Sequence, residues 1–356
     1  MMKTPTKFIA LLSVAAFLMS SAFAQGVTTA PVGYVTQTAT DGDDVLVHPQ
    51  MLPGSSLVGS PTDITAGVLT LGSGLVDDEL VVAAHYVLFT SGALSGEWFQ
   101  VTANSATTVE VAEDLVALGA LDSDAVSVVP FWTLDTLFPG GEGFPASSSV
   151  IAPVALVLLN DVTSVGTNLS AGSAYFYHDG AQIAAGWYLN GDFSGTKEVL
   201  ISPETYFTIR NNSGVDSAFV VTGNAPVDEL ATKVGRLAAS AQDNQLVNPY
   251  PAPLSLADSQ LFESGAVTAS SSVIAPVDLV LIYENSDGSG TNVSTSRSYF
   301  YHDGSQIAAG WYANGDFSGT KDTDTIPAGG AFIVRKASGA AGTVIWSPTV
   351  PYAASL

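Results

Sequence analysis

The sequence predicts an all-β fold: two duplicated β-sandwich-like units packed together, with a small β-barrel-like module inserted in the first. Three observations predict it. Short β-branched and aromatic runs alternate with Gly, Asn, Asp, Ser and Pro along most of the chain, as strands and turns do. A long segment recurs almost verbatim further downstream. The first copy is also longer than the second, by a stretch with its own strand spacing.

Lys3 and Lys7 open the chain, followed by an apolar run from Phe8 to Met19 and small residues ending Ala22-Phe23-Ala24. A basic start, a short apolar run and an A-x-A site make residues 1–24 a secretory signal peptide, cleaved before Gln25. The run is too short to cross a bilayer as a helix, and no later segment is long and apolar enough to anchor the product. Export is therefore expected, to the periplasm, the cell surface or the medium. Residues 25–56 then read as the start of the first β unit and 57–128 as the inserted module. Residues 129–233 read as the remainder of the first unit, and 234–356 as the second.

Composition narrows the function classes. The formal charge is −23, and removing the leader takes two of the ten basic groups and none of the 33 acidic ones, leaving −25. Such a surface repels phosphate backbones and anionic lipid heads, so nucleic acid and membrane insertion are not expected. There is no Cys, which removes disulfides, thiolate metal sites and a cysteine nucleophile together. The fold must stand on its core, and a chain of this length can bury roughly three quarters of its unfolded surface.

Tyr86-Val87-Leu88-Phe89, Trp98-Phe99-Gln100-Val101, Leu156-Val157-Leu158-Leu159 and Phe219-Val220-Val221 read as strands. Val111 to Leu118 and Val227 to Val234 alone have spacing suited to a short helical turn. Ser147 to Val154 (SSSVIAPV) recurs as Ser270 to Val277. Tyr175 to Lys197 recurs as Tyr299 to Lys321 with 21 identities in 23 positions, differing at Ala181/Ser305 and Leu189/Ala313. A fold built twice follows. The extra length maps to the 57–128 stretch, whose regular strand and turn spacing suggests a small barrel or sandwich. A transmembrane barrel is disfavoured by 18 Pro, by few long dyad strands and by a last segment, Tyr352 to Leu356, without an aromatic strand.

Pro31-Val32-Gly33-Tyr34-Val35 carries a resemblance, together with Thr90 to Leu94 running into Phe99 to Thr102, Trp132 to Pro139, and Arg210-Asn211-Asn212. Over essentially the whole mature chain the sequence resembles an uncharacterised family of secreted β-rich proteins with many paralogues in verrucomicrobial bacteria. The resemblance implies a secreted protein and carries over no activity, cofactor or catalytic residue. The family's hairpin runs Tyr-Tyr-Tyr-Asn-Gly-Ala-Trp; here it reads Tyr-Phe-Tyr-His-Asp-Gly, with Trp187 displaced.

The repeated hairpin is the first candidate site. Asp179-Gly180 and Asp303-Gly304 are type I′ turn signals, and a two-residue loop places His178 opposite Ala181 and Tyr177 opposite Gln182. Tyr175, Tyr177, Trp187 and Tyr188, with Asp192, are then candidates to stack on and hydrogen-bond a sugar. Their counterparts are Tyr299, Tyr301, Trp311, Tyr312 and Asp316. The plainer reading is that these are packed cross-strand aromatics.

Two oxygen-rich loops, Asp41 to Asp44 and Asn285 to Asn292, would suit Ca²⁺, the one cofactor the sequence permits. Neither completes an EF-hand, and Asn160 to Ser164 in the first unit shares little of the second loop's spacing, so solvated turns are the alternative. His48, His85, His178 and His302 show no zinc spacing. Nucleophile elbows, phosphate loops and dinucleotide fingerprints are missing. Arg210 and Arg335, in a chain poor in bases, are expected to close bidentate pairs with carboxylates.

The leading expectation is a secreted or cell-surface non-catalytic structural or adhesion protein whose partners are polysaccharide or cell-surface components. The alternative is a carbohydrate-binding protein using the duplicated aromatic hairpins. A second alternative is a polysaccharide-active hydrolase or lyase, which requires two carboxylates of shifted pKa in a cleft.

Overall fold

The structure is a computed structural model that describes residues 31–72, 74–286 and 290–355; the leader expected over 1–24 lies outside the described residues. It is all-β. The strands form seven sheets, and the α-helical pieces, Glu79–Val82, Leu115–Leu118 and Leu134–Leu137, have four residues each. Of the two stretches with helical spacing, the first gives only Leu115–Leu118, capped by the Asp114 carboxylate accepting from Ala117 N–H at 3.0 Å. The second is a correction: 227–234 is not helical, and Thr232–Arg236 pairs as a strand with Gly342–Trp346. Pairing lets Val234 reach a core that a lone turn would leave open.

Two five-stranded antiparallel sheets carry the duplication. The first runs, edge to edge, Gly186–Leu189, Ala171–His178, Ala155–Asn160, Phe207–Asn211, Asp44–Val47. In the same order the second runs Gly310–Ala313, Arg297–His302, Leu279–Ile282, Ala331–Lys336, Gln242–Val247.

Alternation is clearest in Phe207–Asn211, where residues 207, 209 and 211 are buried and 208 and 210 are half-exposed. The buried face of the first sheet packs under the ribbon Val32–Ala39/Ser217–Asn224 and the helix Leu134–Leu137. Its core is built from Val157, Ile209, Phe138, Trp187 and Phe219. The second sheet packs under Thr232–Arg236/Gly342–Trp346, with Val280, Trp311, Phe332 and Trp346 inside. Each fully buried side chain of this size contributes about 1.5–3 kcal/mol.

Between Leu57–Gly59 and Val126–Pro130 the chain forms a separate seven-stranded sheet around Val87, Phe89, Phe99, Val109 and Leu115. The sheet curls into a half-barrel and stays open, because its edge strands Leu57–Gly59 and Asp63–Thr65 do not pair with each other. Its outer face docks through Tyr86, Trp98 and Phe131, whose ring centroids lie 4.9–5.7 Å apart.

The units meet along the sheet edges Asp44–Val47 and Gln242–Val247, and each edge is closed by a loop of the other unit. Gly166 O accepts from Asp243 N–H at 2.8 Å, and Gly290 O from Asp44 N–H at 3.0 Å. One residue pair further on, Asn168 N–H donates to the Asp243 carboxylate and Asn292 N–H to that of Asp44, both at 2.7 Å. Each carboxylate also holds an arginine bidentately, Asp44 with Arg210 and Asp243 with Arg335, all four distances lying between 2.7 and 2.8 Å. The expected bidentate pairs are thus formed. The same arginines then donate to the asparagine side chains, Arg335 to Asn168 at 3.0 Å and Arg210 to Asn292 at 3.4 Å. Gly166 (φ 110°) and Gly290 (φ 100°) take a left-handed backbone, as do Asn168 (φ 55°) and Asn292 (φ 60°). Those conformations favour Gly and Asn. The Asn285 side chain adds a peptide-like pair to Leu46, and Tyr206, Val247 and Ala331 seal the junction.

Two predictions follow from these contacts. Asp243→Ala leaves Arg335 unpaired; since that guanidinium is partly exposed, the cost expected in urea unfolding is about 3 kcal/mol, the low end for a broken buried pair. The second concerns His48, which is buried, accepts from Gln50 N–H at 3.0 Å and meets Pro203 O at 3.2 Å. Burial pushes its imidazole from 6.5 down to about 4. The unfolded chain therefore takes up a proton that the folded chain refuses, so stability is full above pH 6.5 and falls between pH 6.5 and 4, by up to about 3 kcal/mol. The second unit holds Asn248 there, accepting from Tyr250 N–H at 3.1 Å and donating to Pro327 O at 2.9 Å. His48→Asn is accordingly expected to fold at pH 7.5 and to lose that part of the acid sensitivity, read from urea midpoints at pH 7.5 and 4.5.

Candidate functional site

The repeated hairpin closes differently from the two-residue turn its Asp-Gly signals suggest. His178 lies opposite Gly186, Tyr177 opposite Trp187 and Phe176 opposite Tyr188, so the loop is 179–185; His302, Tyr301 and Phe300 repeat this with Gly310, Trp311 and Tyr312. The physical reason is that the turn's backbone groups are taken locally. Gly180 N–H donates to His178 Nδ1 at 3.0 Å and Ala181 N–H to the Asp179 carboxylate at 2.8 Å. Ser147 meanwhile occupies the strand end, donating its N–H to Tyr177 O and accepting from Asp179 N–H. The strand resumes at Gly186, where φ is 145° and a Cβ would lie 2.5 Å from the Thr196 side chain.

This register turns the candidate rings inward. Tyr177, Trp187 and Tyr188 are 9%, 1% and 3% exposed, and Tyr299, Trp311 and Tyr312 are 1%, 1% and 3%. Tyr175 is half-buried against the first core. Tyr301 is half-buried too, stacked on Phe262 with centroids 3.8 Å apart. The opposite face is closed as well: Phe176 lies between Tyr188 and Phe193, and Tyr188 Oη donates to Ala184 O at 2.9 Å. An open aromatic platform for a sugar is therefore not formed by these residues; they are packed cross-strand aromatics.

Asp192 and Asp316 sit outside this core, paired to Lys197 at 3.0 Å and Lys321 at 2.9 Å. Hydrogen bonds from Ser194, and then Lys197, hold the Asp192 carboxyl down to about 2. Lys321, then Ser318, hold Asp316 well below the carboxylate range. A general acid needs the opposite shift.

The carboxylates of the Asp41–Asp44 turn are occupied by N–H groups. Asp41 accepts from Gly214 at 2.7 Å, Asp43 from Gly290, and Asp44 from Asn292 and Arg210. In the second oxygen-rich loop, residues 287–289 lie outside the described residues. Among the described residues, no group of three His, Asp or Glu side chains is placed to hold a metal ion. His178 and His302 are buried with Nε2 unpartnered.

The residues that sequence reasoning missed are Asn168, Asn292 and their glycines. Their signal was present as Gly166-Thr167-Asn168 and Gly290-Thr291-Asn292, set at the same distance before each hairpin. Comparing the second loop with Asn160 to Ser164 aligned the wrong part of it.

No family model, no curated protein and no solved structure matches this chain.

If Trp187 and Trp311 are core, each Trp→Ala substitution costs about 3–5 kcal/mol in thermal or urea unfolding. Tryptophans of a surface platform would leave the unfolding curve nearly unmoved.

Proposed function

We propose that this chain is a non-catalytic, exported protein with a structural or adhesive role at the cell surface or in the medium. One observation carries the reading: the duplication repeats an internally closed hairpin in which Asp192 and Asp316 are ion-paired, rather than a reactive pair of carboxylates. The basic-apolar-small start at 1–24 and the resemblance to a secreted family support export. The acidic surface supports partners other than nucleic acid or anionic lipid. No helix among the described residues is long and apolar enough to cross a membrane. On this reading the partners are polysaccharide or other components of a cell surface.

The test is expression of the full chain with its leader in a Gram-negative host. Intact mass spectrometry is expected to find a product beginning at Gln25 outside the cytoplasm, and the labelled product is expected to be retained on isolated cell envelopes without releasing reducing ends from polysaccharide. Uncleaved protein in the cytoplasm, or sugar release, would overturn the proposal.

A further inference from the structure

The two copies have diverged unevenly. Between the repeated loop and the hairpin the copies share the strand residues Leu156-Val157-Leu158 with Leu279-Val280-Leu281, and the loop residues Gly166, Thr167, Asn168 and Ser170 with Gly290, Thr291, Asn292 and Ser294, whereas the hairpins that follow share 21 of 23. Gly166 and Asn168, with Gly290 and Asn292, form the clasp between units. Within the hairpin, packing accounts for Phe176, Trp187 and Tyr188, and turn geometry for the glycines. Positions that face water are also the same in both copies. Ala184, Ala185, Asn190, Phe193, Ser194 and Thr196 are exposed, as are their counterparts. Ile151 and Ile274, in the repeated SSSVIAPV loop, are 88% and 87% exposed.

These surfaces are held rigidly. The Gln182 amide oxygen accepts from Val150 N–H, and the Gln306 amide oxygen from Val273 N–H, both at 3.1 Å. Ser147 Oγ accepts from Val154 N–H at 2.9 Å, and Ser270 Oγ from Val277 N–H at 2.6 Å, pinning the base of each loop. An isoleucine fixed in water at the tip of a pinned loop forgoes about 1.5–3 kcal/mol of burial. The same side chain stands at the same pinned tip in both units, so each hairpin end presents one apolar group to solvent.

Building on the adhesive reading above, we propose that the two hairpin ends are matched docking sites for an uncharged, repeating polysaccharide. Three features select this occupant. The sites combine apolar side chains (Ile151, Ala184, Phe193) with neutral amides and hydroxyls (Gln182, Ser194, Thr196), which match the C–H face and the hydroxyl rim of a neutral sugar. The charges beside them are the ion pairs Asp192–Lys197 and Asp316–Lys321 and the exposed carboxylates of Asp179 and Asp303, and the chain as a whole carries −23, so an anionic polymer is repelled. Both hairpins lie on the sheet edge opposite the junction strands of a body clasped together, so two equal sites are presented at a fixed spacing, an arrangement that gains avidity only on a ligand that repeats.

The experiment measures retention of the mature chain on cellulose and on chitin, with alginate as the anionic control and phosphatidylcholine vesicles as the lipid control. Ile151→Ser, Ile274→Ser and the double variant are compared with the wild type. At positions this exposed the substitutions leave folding unchanged to within about 0.5 kcal/mol. Wild type is expected to bind at least one neutral polymer and neither control. Each single variant should bind that polymer about 100-fold more weakly, and the double variant at background. Equal binding by wild type and double variant, preference for alginate or vesicles, or no binding to any neutral polymer would overturn the proposal. Retention on whole cell envelopes, run in parallel, separates the two readings. Envelope binding that survives in the double variant removes the hairpin sites and leaves the adhesive role standing; absence of envelope binding by wild type removes both.

Discussion

The constraint on which the rest depends is the reciprocal closure of two sheet edges. An edge strand offers a row of unpaired N–H and C=O groups, and natural sheets blunt or cover it. Here Asp44–Val47 and Gln242–Val247 are covered by each other's units, through Gly290 and Gly166, and the Asp–Arg pairs beside them are completed by Asn292 and Asn168. The arrangement is isologous in the sense used for two-fold dimers: the same patch on each unit meets its own copy. Cutting the molecule at the junction would expose both edges at once and strip one hydrogen-bond donor set from each carboxylate. The sheets, the ribbons above them and the hairpins at their far edges are positioned relative to this seam.

The all-β character was legible because β-branched runs and turn residues act locally. Phe219 to Val221 and Tyr86 to Phe89 carry their strand signal within a few positions. The bidentate arginines were legible by scarcity, since few bases serve many acids. What failed was whatever a neighbour in space decides. Asp179-Gly180 is a sound turn signal, yet the Ala181 N–H that a tight turn would give to His178 O goes to the Asp179 carboxylate, while Ser147, brought in from outside the hairpin, fixes the strand end, and the register moves. Once it moves, Tyr177 and Trp187 face each other and the core. Val227 to Val234 had helical spacing, yet its end became part of the strand Thr232–Arg236 because Gly342–Trp346 was there to pair with it.

The duplication is its own control on these arguments. Where the units differ, the physical task is often retained by other atoms: Asn248 does with an amide what His48 does with an imidazole. Elsewhere the task itself changes. Asn211 is buried and donates to Ala39 O and Val215 O, whereas the matching Lys336 is buried against Asp278 and the carbonyls of Gly265 and Ala266. Burial drives the Lys336 ammonium below its ordinary range. Against that tolerance inside, the outside of the hairpins is kept nearly the same in both copies.

The same seam governs the order in which the molecule can be finished. Asp44 must wait for Arg210 and then for Asn292, which is 248 residues further along. A chain made from its N-terminus therefore cannot close the edge of its first sheet until two strands of its second have been synthesised. Such long-range pairing slows folding and keeps the nascent polypeptide unfinished late into synthesis. The delay is written into which strand lies at which edge.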